Sequence, residues 1–150
     1  MTIAVFAVAS AMMGVVTIGA FYRLSAQSDS RSVWDGVYTD AQAARGHALF
    51  DQHCASCHGD SLEGRDEAPA LAGADFLSNW TGLTAGDLFE RIRTTMPLNN
   101  PGGLGRPVMC DILAYMLSAN KFPAGQTDLP AATEVLRLIR IDQSKPEPKQ

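Results

Sequence analysis

Cys54-Ala55-Ser56-Cys57-His58 is the stretch on which the reading of this chain turns. Two cysteines separated by two residues, with histidine directly after the second, form the attachment signature of a c-type haem. The spacing has a physical reason. On a helical turn, positions i, i+3 and i+4 lie on one face. Cys54 and Cys57 can then reach the two vinyl groups of one porphyrin and form thioethers, while His58 turns an imidazole nitrogen to the iron. Two plainer readings compete. A redox dithiol needs a strand–helix–strand setting, and none surrounds the motif. A structural zinc site takes four ligands, usually with a second Cys/His pair. The remaining cysteine is Cys110 and the remaining histidines are His47 and His53, which are not suitably paired.

The 150 residues suffice for one domain and are too few for two comfortable ones. The formal charge is −4, and without residues 1–26, which hold Arg23 and no acid, 11 basic residues would face 16 acidic ones. No basic patch is present, so nucleic acid is not an expected partner. The acidic balance points to docking on a neutral or basic protein face, with association that weakens as salt rises. Three cysteines are too few for a disulfide framework, and Cys110 is left over if two carry haem.

Thr2 to Tyr22 carry no charge, and Arg23 ends the run. That length spans a bilayer and exceeds the usual apolar region of a signal peptide. Leu24-Ser25-Ala26 is a poor cleavage site and the start of the chain lacks Lys or Arg. Residues 1–26 are therefore read as a signal peptide or an uncleaved membrane anchor, with the anchor slightly favoured. Residues 27–38 are read as a linker, with Val33 to Tyr38 packing on the domain surface. A domain with a C-terminal extension follows over 39–142, then a disordered tail over 143–150.

Thr39-x-x-Gln42 is a capping-box pattern that starts a helix near Asp40. Gly46, one turn before Phe50, suggests close approach by another helix. Residues 59–73 read as loop, and a short helix is expected over 74–80. Thr84-x-x-Asp87 caps a helix over about 85–94. Regular structure is absent over about 95–106, a length usually functional or disordered. Pro107 suits the first position of a last long helix, with Asn120 as its C′ stop. A short helix is expected over 131–140. No repeat and no β-rich segment is evident.

In chain order, Gly46 and Phe50, the Cys54–Gly59 motif, Ala68-Pro69-Ala70-Leu71, Met96-Pro97 and Tyr115 form a series. Over about 39–120 the chain resembles the class I monohaem cytochromes c. The resemblance implies an all-α fold, with three main helices around one covalently bound haem c, plus the N-terminal hydrophobic segment. It implies that Gly46 and Phe50 cross near Tyr115, and that Pro69 supplies the carbonyl that fixes the His58 tautomer. It implies that Leu71 packs on the haem and that Trp80 lies near a propionate. The second axial ligand is expected to be Met96, in the irregular segment before the last helix. His/Met ligation raises the haem potential. The plain reading of a methionine is core packing, and Met109 and Met116 on the last helix are read that way. His47 and His53 are read as surface residues that do not reach the distal face.

Trp34 to Thr39, Leu88-Phe89 and Phe122-Pro123-Ala124-Gly125 look similar to small cytochromes that serve periplasmic quinoprotein dehydrogenases. Cys110 departs from the expected pattern and reads as a buried apolar residue, or as a thiol for intermolecular pairing. The implied function is transfer of single electrons and not enzymatic turnover. Its implied partners are a dehydrogenase donor and an oxidase or other acceptor, in the periplasm, with inner-membrane association through residues 2–22 if these are retained. Two rivals stay open. One is a haem subunit fixed in a respiratory or dehydrogenase complex. The other is a haem enzyme or gas sensor, which would need an open distal site.

Overall fold

The computed structural model describes residues 30–147. The apolar run at 2–22 lies outside the described residues. Along the chain come β1 (Arg31–Ser32), a 3-10 turn (Val33–Asp35), α1 (Asp40–His53) and α2 (Ala55–His58). They are followed by α3 (Ala74–Trp80), α4 (Ala85–Thr95), α5 (Arg106–Ala119), α6 (Thr133–Leu136) and β2 (Ile139–Arg140). The fold is all-α apart from a two-stranded parallel ladder that pairs Arg31 with Ile139 and Ser32 with Arg140. Among the described residues, no helix is long and apolar enough to cross a membrane.

The long helices are set by their caps. Thr39 Oγ1 accepts the Gln42 N–H at 3.0 Å and opens α1. Thr84 and Asp87 cap α4 reciprocally, with Thr84 Oγ1 accepting from Asp87 N–H and Asp87 Oδ2 accepting from Thr84 N–H. Pro107 stands second in α5, after Arg106, where the helix still leaves the backbone N–H without an internal partner. At the other end Asn120 is the cap itself, and Lys121 takes the left-handed position at φ 67°. Phe122 N–H bonds to Leu117 O and Lys121 N–H to Ser118 O, the pair of contacts that closes a Schellman turn.

The central packing event is the crossing of α1 and α5. A Cβ at Gly46 would stand 1.8 Å from Asp111 O and 3.0 Å from Tyr115 Cβ, so only glycine allows the backbones to approach this closely. One turn later Phe50 packs on Tyr115 with ring centroids 5.4 Å apart. Phe76, Leu88, Phe89 and Leu113 are buried in the core between α3, α4 and α5.

The two ends of the described chain differ from expectation. The segment read as a linker is part of the domain from Arg31 onward: Val33, Val37 and Tyr38 are buried, the last with its hydroxyl donating to Phe122 O at 2.6 Å. Trp34 Nε1 donates to Asp142 O at 2.9 Å. After α5 the chain forms a strap over 121–142. Its helix is only Thr133–Leu136, shorter than the expected 131–140, because the strap is held by side-chain burial and not by a helical stripe. Phe122, Leu129, Leu136, Ile139 and Ile141 are each buried, and full burial of an apolar side chain contributes roughly 1.5–3 kcal/mol.

The strap is pinned at Leu129. Gln42, buried on α1, donates from Nε2 to Leu129 O at 3.0 Å and accepts from Leu129 N–H at 2.6 Å. Gln42 thus turns inward and does not return to the Thr39 backbone as a capping box would have it. The Cys110 thiol donates to the same carbonyl, with Sγ 3.2 Å from the oxygen, and burial pushes that thiol up to about 12. Cys110 is therefore an interior hydrogen-bond donor, and a buried position is unsuited to intermolecular pairing. Residues 143–147 are exposed and carry no regular element.

Candidate haem-binding site

α1 ends where the motif begins. Cys54 caps the helix with its N–H on Phe50 O, and its φ of −130° breaks the helical path. The chain then makes a single new turn, in which Cys57 N–H and His58 N–H both bond to Cys54 O, at 3.1 and 3.0 Å. That turn sets Cys54, Cys57 and His58 toward one cavity. Gly59 ends it at φ 79°, in the left-handed region that glycine enters without strain.

The loop that follows is held tightly. Gly64 N–H bonds to His58 O at 2.8 Å, Arg65 and Ala68 exchange backbone bonds, and Leu71 N–H bonds to Leu62 O at 2.8 Å. Asn120, at the end of α5, donates to Leu71 O and accepts from Gly73 N–H, each at 3.0 Å. This bracing presents the Pro69 carbonyl to His58, whose buried ring carries Nδ1 2.9 Å from that oxygen. A carbonyl only accepts, so Nδ1 bears the proton and Nε2 keeps its lone pair for a metal.

The cavity measures about 740 Å³, within the ~300–1,000 Å³ of sites that enclose a sizeable ligand. Cys54, Cys57, His58, Pro69, Leu71, Trp80 and Met96 all line it. Met96 arrives as the half-buried C-terminal cap of α4. Two further methionines, Met109 and Met116, are buried in the core and also reach the cavity wall, two turns apart on one face of α5. His53 differs from the expectation of a surface residue: it is half-buried at the cavity rim, because the last turn of α1 faces the motif. His47 is exposed and stacks on Tyr115 at 4.5 Å between ring centroids.

Other wall residues escaped the sequence reading. Leu88, Arg91, Ile92 and Thr95 form one face of α4, and Met109, Ile112 and Met116 one face of α5. Their spacing at three and four residues is the signal of a buried helical face, but spacing alone does not tell a cavity wall from a packed core.

The donor chemistry fits haem c and not the rivals. A reactive dithiol has a thiol pKa lowered by its surroundings. Here burial, and then the neighbouring Cys57, push Cys54 up to about 11. Among the described residues no three His, Cys, Asp or Glu side chains gather as a structural zinc site requires. A cavity with two cysteines and one oriented imidazole on its wall, otherwise mostly apolar, suits a macrocycle attached by thioethers.

The family model described as cytochrome c oxidase, cbb3-type, subunit III matches residues 41–116. No curated protein matches the chain. A chain in the crystal structure of the sulfane dehydrogenase SoxCD from Paracoccus pantotrophus is similar at 25% identity and a TM-score of 0.48. The match covers 72% of this chain and 61% of that one, so the chain spans less than two thirds of its neighbour.

Proposed function

The chain belongs to the family described as cytochrome c oxidase, cbb3-type, subunit III, and from that premise we propose which of its residues make it work. It is a haem c electron-transfer protein whose partners are redox proteins. When bound, the haem iron supplies a one-electron couple. Everything else is done by side chains of this chain.

In our reading Cys54 and Cys57 would hold the porphyrin as thioethers, and His58, kept in one tautomer by Pro69, would ligate the iron through Nε2. Met96 would supply the second protein ligand, Leu71 would pack against the ring and Trp80 would lie near a propionate. The observation that carries this reading is the short contact between His58 Nδ1 and Pro69 O beside the two cysteines. Hydrogen bonding at Nδ1 fixes the ring and leaves Nε2 as the donor. The Met96 assignment is supported by its place in a turn outside the core, where a thioether can swing inward, whereas Met109 and Met116 are committed to packing.

With two protein ligands no position is left for a substrate on the metal, so the protein is a carrier and not an enzyme. A rigid frame also keeps reorganisation small when the charge changes, and neutral sulfur ligation favours the reduced state. The test is mixing of the reduced protein with carbon monoxide at neutral pH. Little or no binding is expected, together with rapid electron exchange with small mediators. Rapid binding by undamaged protein would replace the carrier reading with an enzyme or sensor.

A second reading has its own support. The family's description is that of an oxidase subunit, and residues 2–22 are uncharged. The protein would then be a haem subunit of one complex, held at the inner membrane on its periplasmic side. Free diffusion between a dehydrogenase donor and an oxidase acceptor is the alternative, with residues 1–26 removed as a signal. A carbonate wash of membranes decides between them: an anchored chain stays with the lipid, and a soluble product starting near Gln27 leaves it.

A further inference from the structure

We infer that the short ladder of β1 and β2 marks the face on which the domain lies against an anionic lipid surface, an inference that deepens the anchored reading above and rests on it. Four large apolar side chains stand out into solvent among the described residues: Leu83, Leu98, Val135 and Leu138. Leu98 belongs to the cavity wall. The other three, 44%, 40% and 39% exposed, gather at the ladder. Leu138 O accepts from Arg31 N–H at 2.8 Å, and Leu138 N–H bonds to Val135 O at 3.1 Å. Leu83 O accepts from Ile141 N–H at 2.9 Å, just beyond β2. No residue of 31–32, 82–86 or 131–141 lines the cavity. A surface against the ladder face therefore leaves the cavity open to a redox partner.

The length of chain before the ladder argues for lipid as the occupant. The uncharged run at 2–22 ends at Arg23, eight residues before Arg31. Eight residues reach at most about 29 Å when fully extended. A domain of this size is a body about 35 Å across, from a radius of gyration of about 13 Å. With the run in a bilayer, the face that receives the chain stays within reach of the lipid, and the domain is too wide to turn that face directly away. Charge selects the same orientation. Arg31, Arg137 and Arg140 are exposed around Val135 and Leu138. Of the acids nearby, Asp35 and Asp142 accept from Ser32, Asp87 accepts from Thr84, and Asp142 also pairs with Arg140 at 3.5 Å. Glu134 is exposed. Residues 40–75, by contrast, hold seven acids against Arg45 and Arg65. An anionic headgroup layer repels that half of the domain and attracts the ladder's arginines, whose stems follow apolar surface while their guanidinium groups meet phosphate.

The experiment is photolabelling of the full haem-loaded chain in vesicles of mixed neutral and anionic phospholipid. The lipid carries a photoactivatable group close to its headgroup, and labelled peptides are read by mass spectrometry. Peptides that hold Leu83 and residues 131–141 should take up several-fold more label than the loop over 59–73. The pair Val135→Asp and Leu138→Asp should cut labelling of the ladder several-fold and leave labelling of residues 2–22 and the haem spectrum unchanged. The pair Arg137→Glu and Arg140→Glu should also lower it, and more so in vesicles richer in anionic lipid. Equal labelling of ladder and loop overturns the inference, as does ladder labelling indifferent to both pairs of substitutions. A ladder left unlabelled in a chain that stays with the vesicles overturns it in favour of a protein partner at that face. A carbonate wash keeps the two levels apart. A chain released by the wash sinks the anchored reading and this inference with it, whereas a chain that stays and labels evenly sinks only the orientation.

Discussion

The frame that carries the site and the strap that packs on the frame away from the cavity are held in different ways. In the frame, the attachment turn and the starts of its helices are set by contacts near them in sequence, and the main long-range brace is Asn120 on the loop at Leu71 and Gly73. Cys54 O takes the N–H groups of Cys57 and His58, Thr39 and Thr84 start helices three residues before their partners, and Met96 caps the helix that delivers it. In the strap, apart from the turn at its start and the single turn of α6, the anchoring contacts are long-range. Leu129 is fixed by Gln42, 87 residues away, and Phe122 by Tyr38, 84 residues away. Trp34 reaches Asp142 across 108 residues. The attachment turn can thus be built largely by local rules, while the strap is fastened to the frame by long-range ones. The two parts should fail separately when they are mutated.

Met96→Ala is the sharpest break on the frame side. The ferric protein should show the weak far-red band of sulfur–iron ligation. The variant should lose that band and titrate at a lower potential, since His/Met ligation raises it. Met109→Leu, a near volume-conserving change in the core, should keep the band. If the band survives in Met96→Ala and vanishes in Met109→Leu, the ligand comes from α5 and the local delivery of the distal residue is wrong.

Gln42→Ala is the corresponding break on the strap side. It removes both partners that the buried glutamine offers to the Leu129 backbone, and Cys110 can relieve only the carbonyl. A buried N–H left without an acceptor costs about 1–3 kcal/mol, which is several degrees of Tm for a domain of this size. The visible spectrum of the folded variant should be unchanged. A variant with normal Tm would show that the strap is not held at Leu129. A shifted spectrum would show that frame and strap are coupled.

This division also explains what could be read in advance. α1, α3, α4 and α5 stand within about a residue of their expected bounds, because Thr39, Thr84 and Pro107 mark starts by chemistry confined to one turn. The close passage at Gly46 was legible because a lone glycine one turn before an aromatic has few other uses. The strap was not. Its buried residues Phe122, Leu129, Leu136, Ile139 and Ile141 are separated by Pro123, Gly125 and Pro130, so no continuous helix or strand carries them, and the groups that hold Phe122 and Leu129, Tyr38 and Gln42, lie far back in the chain. Gln42 was misread for the same reason: a polar residue at the third helical position satisfies the capping pattern, and only the fold reveals the Leu129 backbone waiting behind it. At the site, the attachment motif was plain, while the role of α4 and α5 as cavity walls needed the three-dimensional gap between them.

Glu90 offers the smallest and most delicate test, because it ties the two regions together. It lies on α4, whose other face lines the cavity, and it accepts from Thr133 on the strap at 2.6 Å and from Arg93 at 2.7 Å. Arg106 bonds to Thr133 Oγ1 in turn, at 2.7 Å. Hydrogen bonding by Arg93, and then by Thr133, holds the Glu90 carboxyl down to about 2, against an ordinary value of 4.5. A carboxyl with a lowered folded-state pKa binds its proton more readily in the unfolded chain. Its contribution to stability is therefore present above about 4.5 and is lost as pH falls toward about 2. Glu90→Gln keeps the shape and removes the charge. Its Tm should fall slightly below that of the unmutated protein at pH 7, by an amount that shrinks in high salt, and the two should converge as pH approaches 2. A gap that persists unchanged at low pH would mean that Glu90 works through packing alone. A gap at pH 7 accompanied by a changed haem spectrum would mean that α4 transmits the strap's position to the cavity, and the separation of frame from strap would have to be given up.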